Sequence, residues 1–203
     1  MPERWTPLRK GDVPPEPLPL FLRWYEDAAA VVRLPEAMSL ATVGRDGRPS
    51  SRMVLMTSVD GHGLTFDSQL GSRKATELDR NPPGAALFYW DPLGRQVRVE
   101  GTVIPVPSIT SDRAFAARPR AAQILAYATK QSEPIESREA LEERVRMVEK
   151  EFDGRVIPRP PTWGGFSLNP HTFEFWQHRD DRLHDRLFYE RLVDGWRLVR
   201  LQP

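Results

Sequence analysis

The chain contains no cysteine in 203 residues. Disulfides, thiolate metal sites and cysteine nucleophiles are thereby excluded, and the composition suits a reducing compartment such as the cytoplasm. No apolar run approaches the roughly 20 residues needed to cross a bilayer, and the opening Met1-Pro-Glu-Arg-Trp-Thr6 lacks the apolar stretch of a signal peptide. A soluble cytoplasmic protein with no membrane partner is therefore expected. Charge of one sign is also missing: 29 Lys plus Arg against 28 Asp plus Glu leave a net charge of +1. No global field or basic stripe calls for nucleic acid, so any anion site must be local. The four histidines, His62, His171, His178 and His184, form no recognised ligand spacing, and no metal site is expected.

What is present is enough for one domain with a substantial core. Residues 1–17 carry Pro2, Pro7, Pro14, Pro15 and Pro17 among charges, which predicts an irregular arm, with the domain proper spanning 18–203. Phe21, Trp24, Tyr25 and Ala28 recur at helical spacing between Leu20 and Val32, and Pro35 stops that helix. Strands are expected at Met38–Val43, Ser51–Thr57, Leu64–Asp67, Ala85–Trp90 and Arg95–Val103, with a short helix opening near Gly71 and ending at Asn81-Pro-Pro83. The middle reads as helices over Ser111–Ala117, Ala121–Thr129 and Arg138–Phe152, the last with Leu141, Val145, Val148 and Phe152 on one face. After a proline-rich connector and Trp163-Gly-Gly-Phe166, strands follow at Thr172–Gln177, Arg186–Leu192 and Trp196–Leu201. Many short antiparallel strands plus a few helices predict a mainly β, α+β fold with a closed or nearly closed sheet.

The segment Glu174-Phe-Trp-Gln-His-Arg-Asp-Asp-Arg-Leu-His-Asp-Arg186 carries the most chemistry. It spaces Arg182, His184 and Arg186 two apart, which in an extended backbone would bring all three to one side. Two guanidiniums flanking an imidazole suit an anionic, planar ligand, because Arg binds phosphate or carboxylate through a fixed fork and stacks on flat rings. A solvated basic edge strand is the alternative on residue chemistry alone. The Glu-Phe-Trp-Gln and Arg-Leu-His-Asp-Arg runs, however, resemble the carboxy-terminal motif of the pyridoxamine 5'-phosphate oxidase family. Further blocks match in order: Ser51-Arg-Met-Val-Leu55, Gly71-Ser-Arg-Lys74, Arg95-Gln-Val97, Arg118-Pro-Arg120, Lys130-Gln-Ser132 and Trp163-Gly-Gly165. The resemblance covers about Leu20 to Pro203.

That resemblance implies an FMN-binding split β-barrel, a homodimer with FMN in the groove between subunits, and an oxidase that uses O2. It implies FMN contacts from Arg52, Met53, Val54, Leu55, Arg73, Lys74, Gln96, Gln131, Ser132, Trp176 and Arg186. Ser72 to Lys74 also stand at a predicted helix start, where backbone amides and the helix dipole favour an anion. Taken singly, Lys74 reads as a surface lysine, and Trp176 reads equally as a core ring. Arg182 and His184 resemble the catalytic, substrate-side pair, which fixes the substrate ring and offsets charge as a hydride leaves.

The pattern also breaks. Where the family's vitamin B6 enzymes grip the substrate phosphate with lysine, tyrosine, arginine and serine, the aligned positions here are Thr57, Ala114, Arg118 and Ala122. Only Arg118 is retained, although Lys130, Arg113 or Arg120 could compensate. Asp67 replaces a frequent aromatic, and His178 replaces a usual glycine. The resulting expectation is FMN-dependent oxidation of a non-phosphorylated, reduced N-heterocyclic or amine substrate, as in the phenazine-biosynthesis relatives. The alternatives are a genuine pyridoxine or pyridoxamine 5'-phosphate oxidase and a non-catalytic flavin-binding protein.

Overall fold

Six antiparallel strands close on themselves. In the computed structural model, which describes residues 5–203, the strands are β1 (Ala37–Val43), β2 (Pro49–Asp60), β3 (Gly63–Gln69), β4 (Pro83–Trp90), β5 (Arg95–Pro105), β6 (Trp163–Gln177), β7 (Asp185–Leu192) and β8 (Gly195–Leu201). They run in the order β3-β2-β1-β4-β5-β6-β7-β8, and a further β3–β6 pairing shuts the first six into a barrel. β6 makes closure possible because it serves two partners. Residues 163–168 pair with β3 while 172–177 pair with β7, and β5 lies along the other edge of both halves. The chain is thus a split β-barrel with a β7–β8 hairpin added at the split.

Alternation fills the barrel. Met38, Leu40, Val54, Met56, Phe66, Ala86, Phe88, Val97, Val99, Phe173 and Phe175 are all buried in one core, as period-2 strands with one inward face require. Among the described residues there are five α-helices: α1 (Pro17–Ala29), α2 (Arg73–Arg80), α3 (Ser108–Ala116), α4 (Arg120–Ala128) and α5 (Arg138–Glu151). α1 begins at Pro17 rather than Leu20, since proline at the first helical turn forfeits no hydrogen bond. Its buried stripe of Leu20, Phe21, Trp24 and Ala28 caps the core, with Phe21 against Phe88 and Phe173 and Trp24 edge-on to Phe175. A second, smaller core gathers Phe115, Ile124, Ile157 and Trp163 beneath α5, whose Val145 and Val148, with Phe152 just past its end, pack on it partly buried.

The segment before α1 lies against this body. Leu8 is buried in the main core, residues Lys10–Asp12 make a 3-10 turn, and Tyr189 donates its hydroxyl to Pro14 O at 2.8 Å.

Two features were not legible as strand. Trp163-Gly-Gly-Phe166 has no alternation to detect, yet Gly164 and Gly165 pair with Ser68 and Asp67 and begin the longest strand of the fold. The β5–β6 ladder also shifts register between Glu100 and Gly101. A Cβ at Gly101 would stand 2.0 Å from the backbone oxygen of Asn169, and backbone cannot swing aside as a side chain can. Gly101→Ala should therefore cost about 3 kcal/mol and lower Tm by roughly 6–12 °C. An unchanged calorimetric melt would show that the two strands do not approach this closely.

Candidate functional site

A cavity of about 550 Å³ opens beside β2 and the start of α2, lined by four cations, Arg52, Arg73, Lys74 and Arg118, and one carboxylate, Asp67. Its cations are held before any ligand arrives. Arg52, on β2, donates to Leu40 O at 3.1 Å and Thr42 Oγ1 at 2.6 Å and pairs with Glu77 Oε2 at 3.2 Å. Glu77 reaches back from α2 and also accepts Arg73 Nε at 2.8 Å and Ser50 Oγ at 2.7 Å. Burial would raise the Glu77 pKa, but hydrogen bonds from Thr42, Ser50 and Arg73 and the charge of Arg52 outweigh it and bring it down to about 2. Glu77 therefore stays ionised and aligns both guanidiniums.

Lys74 is different. It is buried, and Nζ donates to Ser68 Oγ and Gln131 Oε1, both at 2.9 Å, and to Ser72 Oγ at 3.4 Å. These partners are all neutral. Burial, and then the charge of Arg52, lower its pKa to about 8. A desolvated ammonium among neutral acceptors, at the amino-terminal end of α2, is an anion receptor whose counter-ion the protein itself does not supply.

The loop after α4 completes this wall. Gln131 N donates to Gln69 Oε1 at 2.7 Å, and the Arg73 amide donates to Ser132 Oγ at 3.3 Å. Ser132 is held at φ +77, a conformation that costs a non-glycine residue of order 1 kcal/mol and concentrates at ligand-binding positions. Met53, Val54, Leu55 and Thr57 line the same cavity from β2.

The other expected site residues stand elsewhere. Gln96, Trp176 and Arg186 are successive cross-strand partners on β5, β6 and β7, one row on one face of the sheet. Arg186 pairs with the buried Glu174 at 2.7 Å, and Glu174 also takes Arg98 at 2.7 Å. The His184 ring lies tilted against Trp176 with ring centroids 4.7 Å apart. None of these residues lines the 550 Å³ cavity. One protomer thus carries two separate clusters, joined by the outer face of the barrel, where Met53, Leu55 and Tyr89 are exposed apolar side chains.

The extended-strand argument for Arg182, His184 and Arg186 is corrected by the structure. β7 begins only at Asp185, and Arg182 lies in the preceding turn with φ +66. Asp181, whose carboxylate accepts the Leu183 amide at 2.9 Å, makes a local turn that competes with extension. Arg182 and His184 are neighbours through that turn, and only Arg186 projects from a strand.

Around Arg118 the aligned clamp positions are poor in donors. The Thr57 hydroxyl donates to Thr65 O at 3.3 Å, Ala114 packs on the second core, and Ala122 walls an adjoining cavity of about 400 Å³. Of the possible substitutes, Arg120 is occupied by the carbonyls of Phe152 and Arg155, Lys130 pairs with Glu133 at 3.8 Å, and Arg113 is exposed on α3 and lines neither cavity. The Arg118 guanidinium lies 5.0 Å from the Trp163 ring centre, and its Nε is buried without a hydrogen-bond partner among the described residues. Asp67 lines both cavities with Arg118. Burial raises the Asp67 pKa, and the Arg118 charge partly offsets this.

Thr42, Ser50, Ser68, Gln69 and Glu77 were missed in the sequence. Only Glu77 left a signal, four residues after Arg73 on one helix face. The hydroxyls lie on separate strands and meet only through the fold.

Barrel and clusters together define a split-barrel protein with a local anion-receptor cavity. The model of the pyridoxamine 5'-phosphate oxidase family matches residues 25–151, and that of the pyridoxine 5'-phosphate oxidase C-terminal dimerisation region matches 163–203. The pyridoxine/pyridoxamine 5'-phosphate oxidase of Rubrobacter xylanophilus is 51% identical over 197 residues, covering 97% of this chain and 91% of that protein. That of a Cyanothece species is 45% identical, covering 98% and 94%. Among solved structures, PhzG from Burkholderia lata in complex with tetrahydrophenazine-1-carboxylic acid superposes with a TM-score of 0.92 at 36% identity, covering 98% of this chain and 99% of that one. The chain belongs to the pyridoxamine 5'-phosphate oxidase family. Members of this oxidase family generally bind FMN, and the matched dimerisation region supports a homodimer.

Proposed function

We propose that this chain is an FMN-dependent oxidase that oxidises a reduced N-heterocyclic or amine substrate lacking a phosphate. The observation that carries FMN binding is buried Lys74, with only neutral partners, beside Arg52 and Arg73. A phosphate monoester matches that set: Arg52 and Arg73 would grip it through their forks and Lys74 as a point charge. Gln131 and Ser132 would hold the same cofactor from one subunit. Gln96, Trp176 and Arg186 would complete it from the other, across the exposed apolar face of the barrel. FMN, when bound, supplies the hydride acceptor, with O2 as the final electron acceptor.

The protein's own part is orientation. Arg182 and His184 would lie over the substrate ring on the side away from the phosphate cluster. His184 Nδ1 accepts the Arg179 amide at 3.1 Å, so the neutral ring presents Nε2–H as a donor. Arg118, with Asp67 close by and no further clamp residue, suits a monoanion or a neutral ring better than a phosphate dianion. The 45–51% identity to pyridoxine/pyridoxamine 5'-phosphate oxidases favours a second reading, in which the B6 phosphates are substrates and Arg118 with a substituted neighbour holds the phosphate. Steady-state assays separate the two, since turnover at micromolar pyridoxamine 5'-phosphate would overturn the first.

Lys74 gives a pH signature. An anion seated on Nζ stabilises the ammonium, so binding takes up a proton once the free lysine has titrated. FMN affinity should be flat between pH 6.5 and 7.5 and weaken above about 8, the value to which Lys74 is lowered. Fluorescence titration of FMN as a function of pH checks this, and a dissociation constant unchanged up to pH 9.5 would remove Lys74 from the site.

A further inference from the structure

The turn between β6 and β7 carries a ring where no motif required one. The His178 amide donates to Gly94 O at 2.8 Å. Its imidazole sits between Trp5, edge-on at 5.6 Å, and His184, at 5.2 Å between centroids. His178 Nε2 lies 3.4 Å from Asp180 Oδ1, and that same oxygen accepts Trp5 Nε1 at 3.3 Å. The neighbouring backbone makes room for this stack. Gly94 has φ +54, and a Cβ there would come within 2.8 Å of His178 Cβ and 3.2 Å of the Trp5 ring.

His184 is enclosed on two sides, by His178 and by Trp176, and its Nδ1 is occupied by the Arg179 amide. With Nδ1 accepting, the neutral tautomer carries its proton on Nε2. Rotation of the ring would exchange the two nitrogens, within the space between the His178 and Trp176 rings.

We propose that His178 is a positioning residue that braces the His184 ring with Nδ1 on the Arg179 amide, so that His184 always offers Nε2–H to the substrate side. The proposal rests on the reading of His184 as a substrate-side group. The charges around His184 act in the same sense: burial, then His178 and Arg182, lower its pKa, against Asp181. Asp180 faces His178 and steadies that ring instead. Protonation at Nδ1 would set two donors, imidazolium and amide, against each other.

Long-range proton–nitrogen NMR on the full chain reads the tautomer of each of the four histidines, with His184→Gln supplying the assignment. In the native protein His184 should show a single Nε2–H tautomer. His178→Ala should give a mixture of both tautomers and a higher titration midpoint for His184. His178→Phe, which keeps the wedge without the charge, should restore the single tautomer. A native tautomer in His178→Ala, or a His178→Phe spectrum matching that of His178→Ala, would overturn the proposal. The spectra need no substrate. If His184→Gln leaves turnover of the FMN-loaded enzyme unchanged, the substrate-side reading fails while the bracing result stands or falls by itself.

Discussion

A chain carrying Thr57→Lys, Ala114→Tyr and Ala122→Ser should bind pyridoxamine 5'-phosphate at least about a hundredfold more tightly than the native protein. Each hydrogen bond to a charged group contributes roughly 1.5 to 3 kcal/mol, so three restored donors exceed the roughly 3 kcal/mol that a hundredfold represents, even with imperfect geometry. The native pocket offers little in their place. The Thr57 hydroxyl is engaged by Thr65 O, Arg120 is taken by two backbone carbonyls, and Lys130 pairs with Glu133. Because Ala114 packs on the second core, the tyrosine could strain that packing. The double variant Thr57→Lys with Ala122→Ser keeps the test usable, with an expected gain of about tenfold or more. Michaelis constants for the three proteins decide it. A native value already in the micromolar range, unimproved by the substitutions, would mean that Arg118 suffices and that the B6 phosphates are the substrates.

Arg52→Ala should have the second large effect, weakening FMN binding by roughly 10²–10³ while leaving the barrel folded. Removing the guanidinium deletes a forked anion contact, about 3 to 4 kcal/mol in charge-assisted bonds. It also strips Glu77 of one partner. Arg73, Thr42 and Ser50 remain on that carboxylate, so the loss of stability should stay below the roughly 3 to 5 kcal/mol of a fully broken buried pair. Arg52→Lys should recover little, because an ammonium cannot reach Leu40 O, Thr42 and the ligand at once. Isothermal titration with FMN, run well below the melting temperature of each variant, separates affinity from unfolding. An Arg52→Ala protein that binds FMN as the native one does would place the phosphate elsewhere.

Much of the fold was readable because each barrel strand buries one face. Met38 and Leu40, Val54 and Met56, and Phe88 and Trp90 alternate as expected of strands with a single core side. β6 was only half legible. Its first residues, Trp163 to Gly165, are held by backbone pairing with β3, and two glycines leave no side-chain period to detect. The Arg182–Arg186 run misled for the opposite reason: its spacing of two looks like a strand, but Asp181 turns the chain locally before β7 begins. The candidate site residues could be named from the motif blocks, whereas their division between two clusters could not. Spacing along a chain contains nothing about which residues share a cavity. Glu77 stands four residues after Arg73, so that pair could be found from spacing, but its second arginine, Arg52, meets it only once β1, β2 and α2 are brought together.

The most direct test of the central claim is a side-by-side titration of the ligand-free protein with FMN and with riboflavin, which share the ring system and differ by the phosphate. The cavity of Arg52, Arg73 and Lys74 predicts one FMN per protomer and riboflavin binding at least about a hundredfold weaker, since a phosphate held by several charged donors contributes more than 3 kcal/mol. Equal affinity for the two, or no uptake of either, would contradict it.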